Sequence, residues 1–210
     1  MDYQDMKRII TAMLITGLSG CTLHWTDIDL KPNGADAVTN HSSHKNVPGC
    51  LAIMTDLKVK SNGQETNPSS EFQKRFMAHI KDTKIFDSVV YDMPTIKPDK
   101  YVSFALESDE NQDTNQGANY AKGFFIGATF FLLTPVIPLS YDFESDMHLT
   151  ATRGDGKTKQ YSAKGKGSAS YQLYANAAMA GQEIRAEVTN NNINSLINQL
   201  TLDANFLCGS

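Results

Sequence analysis

An α+β fold, with an antiparallel or mixed sheet of four to five strands and two helices packed on one face, is what this 210-residue sequence predicts. Three observations lead there. Two segments carry apolar residues at helical spacing, one between residues 70 and 82 and one near the C-terminus. A long stretch from Phe143 to Ala151 alternates apolar and more polar residues, which suits a half-buried strand. The order of elements is strand, helix, several strands, helix, and a sheet that covers one face with helices is the economical way to bury such a set.

The folded body is predicted to begin at Cys50. Leu51 to Lys60, "LAIMTDLKVK", has the apolar and β-branched character of a strand. The polar stretch "SNGQETNPSS" leads into a helix from Ser70 to about Asp82, with Ser70 as N-cap and Phe72, Phe76, Met77 and Ile80 on one face. "KIFDSVVYDM" and "DKYVSFALES" follow as strands. A second polar loop, Asp109 to Ala121, precedes an uncharged run from Gly123 to Tyr141. Beyond the alternating strand, Gly154-Asp155-Gly156 turns the chain and "KTKQYSAKGKGSASYQLY" returns as a second arm. Ile193, Leu196, Ile197 and Leu200 then mark a helix that starts between Asn176 and Asn192.

Composition narrows the function classes. Hydrophobic residues make up 40% and charged residues 20%, so the chain can bury a sizeable core. A formal net charge of −4 gives no general attraction for nucleic acid, which is bound by clustered Lys and Arg. "ATRGDGKT", Ala151 to Thr158, fits a relaxed phosphate-loop pattern, but that chemistry needs a strand, a loop and then a helix. Both flanks here read as strands, so no nucleotide is expected, and Arg153-Gly154-Asp155 is a tripeptide on a turn. No catalytic constellation is visible. His79 lies near the apolar face of the first helix and His148 on the polar face of a strand, neither beside a nucleophile motif. His24, His41 and His44 fall in a polar segment without a rigid surround, so neither metal nor cofactor is expected.

The uncharged run from Gly123 to Tyr141 has four phenylalanines and two prolines, Pro135 and Pro138. Its length approaches that of a membrane span, but the prolines break a helix in its C-terminal half. Three arrangements remain open: a buried strand with its turn, an exposed apolar hairpin that enters a membrane or a partner, and a transmembrane helix. The candidate contact residues are Phe124, Phe125, Ile126, Phe130, Phe131, Leu132 and Leu133.

Lys7 and Arg8 precede an uncharged run from Ile9 to Gly20, too short to span a bilayer and of the length of a signal-peptide core. It ends in Leu18-Ser19-Gly20-Cys21, which resembles the lipobox of bacterial lipoproteins, Leu-[Ala/Ser]-[Gly/Ala]-Cys, at all four positions. The resemblance implies that the Cys21 thiol receives a diacylglycerol, that residues 1–20 are removed as a signal peptide, and that the new amino terminus is acylated. An ordinary core helix over Ile9 to Leu18 would leave Gly17 and Gly20 without a reason. Asp2 and Asp5 cancel the basic charge of the first eight residues, so translation is expected to begin at Met6. Enterobacterial lipoproteins held in the inner membrane usually carry Asp at the second mature position, so the resemblance implies, through Thr22, the outer membrane. Burial of acyl methylenes, at about 0.8 kcal/mol each, then anchors the protein when more than one chain is attached. Residues 21–49 are polar and punctuated by Gly, Pro, Asn and Ser, and are expected to form a flexible tether. Residues 50–210 follow as a single periplasmic domain.

The order of elements, with its helix-to-strand passage "F…F…H…IFDSVV", is similar to the small α/β domains of periplasmic lipoproteins, including the LPS-assembly and curli-secretion lipoproteins. The resemblance concerns arrangement and carries over no functional residue. With Cys21 lipidated, Cys50 and Cys208 remain from the three cysteines, and export places them in an oxidising compartment. A Cys50–Cys208 disulfide is therefore expected.

The function expected on these grounds is a non-enzymatic lipoprotein on the periplasmic face of the outer membrane, bound to the membrane by its anchor and to an envelope protein partner by its domain. An immunity lipoprotein that neutralises a secreted effector is one alternative. An envelope hydrolase is the other, and it requires a deep pocket that holds His79 or His148 beside Ser, Asp or Glu.

Overall fold

The computed structural model describes residues 27–32, 49–68, 70–91, 94–95, 98–130, 132–133, 137–172 and 177–208. Its centre is a mixed sheet of seven strands: β1 (Asp27–Pro32), β2 (Cys50–Ser61), β3 (Gln64–Thr66), β4 (Ser88–Tyr91), β5 (Lys100–Asp113), β6 (Leu139–Arg153) and β7 (Thr158–Tyr171). Four helices accompany them among the described residues: α1 (Ser70–Asp82), α2 (Gln116–Ala128), α3 (Ala177–Leu202) and α4 (Ala204–Cys208). The α+β class is as predicted, and the sheet is wider by two short strands. One of these, β3, turns back on the end of β2 through Asn62 and Gly63, both at positive φ. The other, β1, lies within the segment expected to be tether, and six of those residues pair along β7.

The spatial order is β1-β7-β6-β5-β2, with β3 and β4 sharing the far side of β2. The β5–β6–β7 meander is antiparallel, and its long strands follow from the alternation that marks Phe143 to Ala151. β2 runs parallel to both β4 and β5, and α1 makes the crossover between β2 and β4 that parallel pairing demands. A bulge at Thr55 interrupts the β2–β5 register between Met54 and Asp56, and the Thr55 hydroxyl donates to the Phe104 carbonyl at 3.1 Å.

One face of the sheet is dry. Ala52, Met54, Val102, Phe104, Leu106, Met147, Leu149, Ala151 and Tyr161 are buried there against Phe76, Met77 and Ile80 of α1 and Ile193, Leu196, Ile197 and Leu200 of α3. These are the apolar stripes that the helical spacing predicts. Phe86 meets Phe104 edge-on at 5.6 Å between ring centroids. A second, smaller cluster, Phe143, Ala169, Ala180, Ile184 and Val188, lies at the other end of α3. There α3 packs closely on β7: a Cβ placed on Gly167 would crowd the Ile184 side chain and stand 3.0 Å from Val188 Cγ2, so a larger residue there requires those side chains to shift.

Cys50 and Cys208 form a disulfide with 6.0 Å between their Cα atoms, the pairing expected once the lipobox resemblance sets Cys21 aside. It ties the start of β2 to α4. Arg153 donates to the Phe206 carbonyl at 2.9 Å and lies over the Phe206 ring, and Lys159 pairs with Asp203 at 2.6 Å. The C-terminus is thus fastened at the end of the sheet that carries the β6–β7 turn.

Candidate interaction surface

The uncharged run that begins at Gly123 is helical over its first six residues, which corrects the expectation of a strand or hairpin there. α2 leaves the end of β5 and the chain returns to the start of β6. Its N-terminus turns at Asn115, which sits at positive φ, donates its backbone N–H to the Asp113 carboxylate at 2.7 Å, and donates from Nδ2 to Asp142 at 2.8 Å. Asn119 then clasps β6: its Nδ2 donates to the Ser140 carbonyl at 2.8 Å and its Oδ1 accepts from the Ser140 N–H at 3.1 Å. A side-chain amide that pairs with both backbone groups of one strand residue acts as a further rung of the ladder.

Apart from that polar clasp, α2 is held by one fully buried side chain, Ile126. Ile126 therefore leaves the set of candidate contact residues, because it faces the protein. The rest of the apolar surface faces outward. Phe124 is 73% exposed, Phe125 60%, Phe130 88% and Leu132 78%, and Tyr120 adds its ring to the same helix. Leu133 is half-buried, and Phe131 lies outside the described residues. Gly117, Gly123 and Gly127 have open space where a Cβ would stand, so nothing among the described residues packs on those parts of the helix. The helix stops at Thr129, whose hydroxyl donates back to Phe125 and Ile126, and Phe130 follows at φ 49°. Five large apolar side chains, three on α2 and two just beyond it, are left to water, a concentration of the kind that marks an interaction site. No helix among the described residues is long and apolar enough to cross a membrane.

The face of the sheet away from the helices is a second, chemically opposite surface. Lys60 pairs with Glu107, Lys164 with Glu144 at 2.9 Å, and His148 with Asp146 at 3.3 Å. The lysine partners hold the Glu107 and Glu144 carboxyls below the usual range, through hydrogen bond and charge. An open depression of about 480 Å³ lies there, lined by Asn62, Gly63, Asp109, Asn111, Glu144, Asp146 and Lys164. His148 has Asp146 on its own strand and Ser162 as its cross-strand neighbour, but its side chain is 60% exposed on this open face. It is therefore not held in the deep pocket that a hydrolase requires. His79 is half-buried in the last turn of α1.

Between the two apolar clusters lies a polar seam. Glu110 of β5 points into the core side of the sheet and pairs with Arg185 of α3 at 2.6 Å. Asn192 donates to the Ser145 carbonyl at 2.9 Å beside it. Burial pushes the Glu110 carboxyl up, against the opposing pull of Arg185. The one available signal was the in-phase alternation of β5, in which Glu110 falls on the same side as Phe104 and Leu106.

Residues 153–157 form the turn of the β6–β7 hairpin, so "ATRGDGKT" lacks the helix that a phosphate loop requires. Among the described residues no group of three or more His, Cys, Asp or Glu is arranged to hold a metal ion. Cys21, His24, His41 and His44 lie outside the described residues.

No protein-family model matches this chain, and no curated protein matches it. Solved structures with a similar arrangement include a Xanthomonas campestris protein of the family DUF330, at TM-score 0.36 and 9% identity over 84% of this chain and 92% of that one. A minor lipoprotein from Acinetobacter baumannii is similar at TM-score 0.36 and 8% identity, covering 76% of this chain and 92% of its own. Rare lipoprotein B from Shewanella oneidensis is similar at TM-score 0.37 and 10% identity, covering 73% and 96%. Likenesses this distant carry no functional inference.

Proposed function

We propose that this protein is a lipid-anchored lipoprotein of the bacterial envelope that acts by binding rather than by catalysis. The observation that carries the proposal is the pairing, in one chain, of the Leu18-Ser19-Gly20-Cys21 lipobox with an aromatic helix whose large side chains face outward. In this role Cys21 holds the chain to the outer membrane on its periplasmic side. Phe124, Phe125, Phe130 and Leu132 form the contact surface, and the charged open sheet face is left for an envelope protein partner. Residues 1–20 are lost on export, and the oxidising periplasm keeps the Cys50–Cys208 disulfide closed.

Metabolic labelling with palmitate, followed by separation of inner and outer membranes, tests the anchor. Label in the wild type and none in Cys21→Ser is the expected result, with the labelled protein in the outer-membrane fraction. Equal absence of label from both would end the proposal. Photocrosslinkers placed at Lys58 and Lys166 on the open sheet face should yield a discrete adduct with one envelope protein in cells.

A further inference from the structure

We infer that α2 is a membrane-interface element, seated on the same bilayer leaflet that holds the Cys21 lipid. The occupant of its aromatic face is thus a lipid surface. This rests on the lipid-anchor proposal above and adds a second point of contact.

The register of the sheet places the two contacts together. Asp27, the first residue of β1, faces Ser170 of β7, and Ser170 in turn faces Ser140 of β6. Ser140 is the residue that Asn119 of α2 clasps through both its backbone groups. Asp27, Ser170 and Ser140 therefore lie in one row across the sheet, with Asp27 about 10 Å, two strand spacings, from the strand that carries α2. β1 runs from Asp27 into the sheet, so the preceding chain leaves at this end. Cys21 is six residues before Asp27, a span of at most about 20 Å. An anchor so short, leaving from the end that carries α2, brings that end to the membrane.

The chemistry of α2 matches a lipid interface better than a charged partner. It presents Tyr120, Phe124 and Phe125, with Phe130 and Leu132 just beyond, and aromatic rings of this kind settle at the boundary between headgroups and acyl chains. Lys122 is the single basic residue of the helix, so attraction to anionic headgroups contributes little and seating depends on apolar burial. The opposite end of the sheet carries a natural control. Leu202 is 83% exposed beside Asp203, which pairs with Lys159 next to the β6–β7 turn. That turn is about 40 Å along β6 from Ser140.

Single-tryptophan variants of the full chain decide the matter. Trp25→Phe removes the native indole, and Phe124→Trp, Phe130→Trp or Leu202→Trp each introduces a probe at an exposed site. The protein is purified from membranes, mixed with excess vesicles of phosphatidylethanolamine and phosphatidylglycerol, and compared between brominated and ordinary acyl chains. Expected is at least about twofold quenching at positions 124 and 130, unchanged by salt, and none at 202. Unquenched emission at both 124 and 130 overturns the inference, as does equal quenching at 202. Palmitate content of the same samples judges the anchor separately: quenching without palmitate upholds the α2 contact and removes the anchor, whereas palmitate without quenching does the reverse. An intact Cys50–Cys208 disulfide and unchanged circular dichroism show that each variant is folded.

Discussion

The guanidinium of Arg185 stands 2.6 Å from the carboxylate of Glu110, whose side chain is only 3% exposed while the arginine is about half in water. The pair joins α3 to β5 at the seam between the two apolar clusters. Its two members are not equivalent. The arginine keeps much of its hydration, so nearly the whole cost of desolvation falls on the glutamate.

Removal of the partners one at a time should expose this asymmetry. Arg185→Ala leaves a buried carboxylate alone and is expected to cost roughly 1–3 kcal/mol at pH 7, whereas Glu110→Gln should be close to neutral. Because the folded pKa of Glu110 lies above its unfolded value, its contribution to stability is present at low pH and is lost as pH rises through the folded value. Urea unfolding from pH 4 to 8 should therefore show a smaller decline with pH in Glu110→Gln than in the wild type, and a larger one in Arg185→Ala.

Reduction of the Cys50–Cys208 bridge should be costly. It closes a loop with a sequence separation of 158, for which chain entropy sets a limit of about 5 kcal/mol. A Cys50→Ala/Cys208→Ala variant is expected to lose roughly 2–5 kcal/mol in denaturant unfolding. In denatured, unreduced wild type, neither of these cysteines should take up a thiol label.

The close approach of α3 to β7 predicts a steric penalty with a specific rescue. Gly167→Ala would crowd a methyl against Ile184 Cδ1 and place it 3.0 Å from Val188 Cγ2, and should destabilise by about 1–3 kcal/mol. Ile184→Val removes the nearer methyl. In a double-mutant cycle it should recover a measurable part of the loss, and strictly additive effects would disprove the contact.

Within the apolar run, adjacent positions should behave in opposite ways. Phe124→Ser and Phe130→Ser remove side chains that face water and should change stability by no more than about 0.5 kcal/mol. Ile126→Ser places a hydroxyl in a fully buried site and should release α2, by roughly 2–4 kcal/mol. Asn119→Ala, which loses the clasp on Ser140, should speed amide exchange in α2 while the β5–β6–β7 meander stays protected.

Much of the fold was legible because its signals are local. The spacing of Phe76, Met77 and Ile80, and that of Ile193, Leu196, Ile197 and Leu200, marks one face of each helix, and those faces are the buried ones. Strands β1 and β3 were not legible. Each is short and takes its stability from a neighbour, β7 for one and the end of β2 for the other, rather than from its own pattern. Of the apolar run, the exposed residues Phe124, Phe125, Phe130 and Leu132 were singled out by the sequence, but the helix that carries the first two was not. Phenylalanine, isoleucine and threonine favour strands, and three glycines weaken a helix, so local preference pointed away from α2. The Asn119 clasp and the single buried side chain Ile126 settle it as a helix, and both depend on β6.

By itself, the sequence determined the α+β class, the two packed helices and the cysteines that could pair, because periodicity and composition are properties of a chain read in order. Tertiary structure alone decided which side of the apolar run faces inward, that Glu110 enters the core against Arg185, and that Asp27 and Asn119 meet the same end of the sheet. Those facts depend on the register between distant strands, and no local pattern carries register until a partner strand is in place.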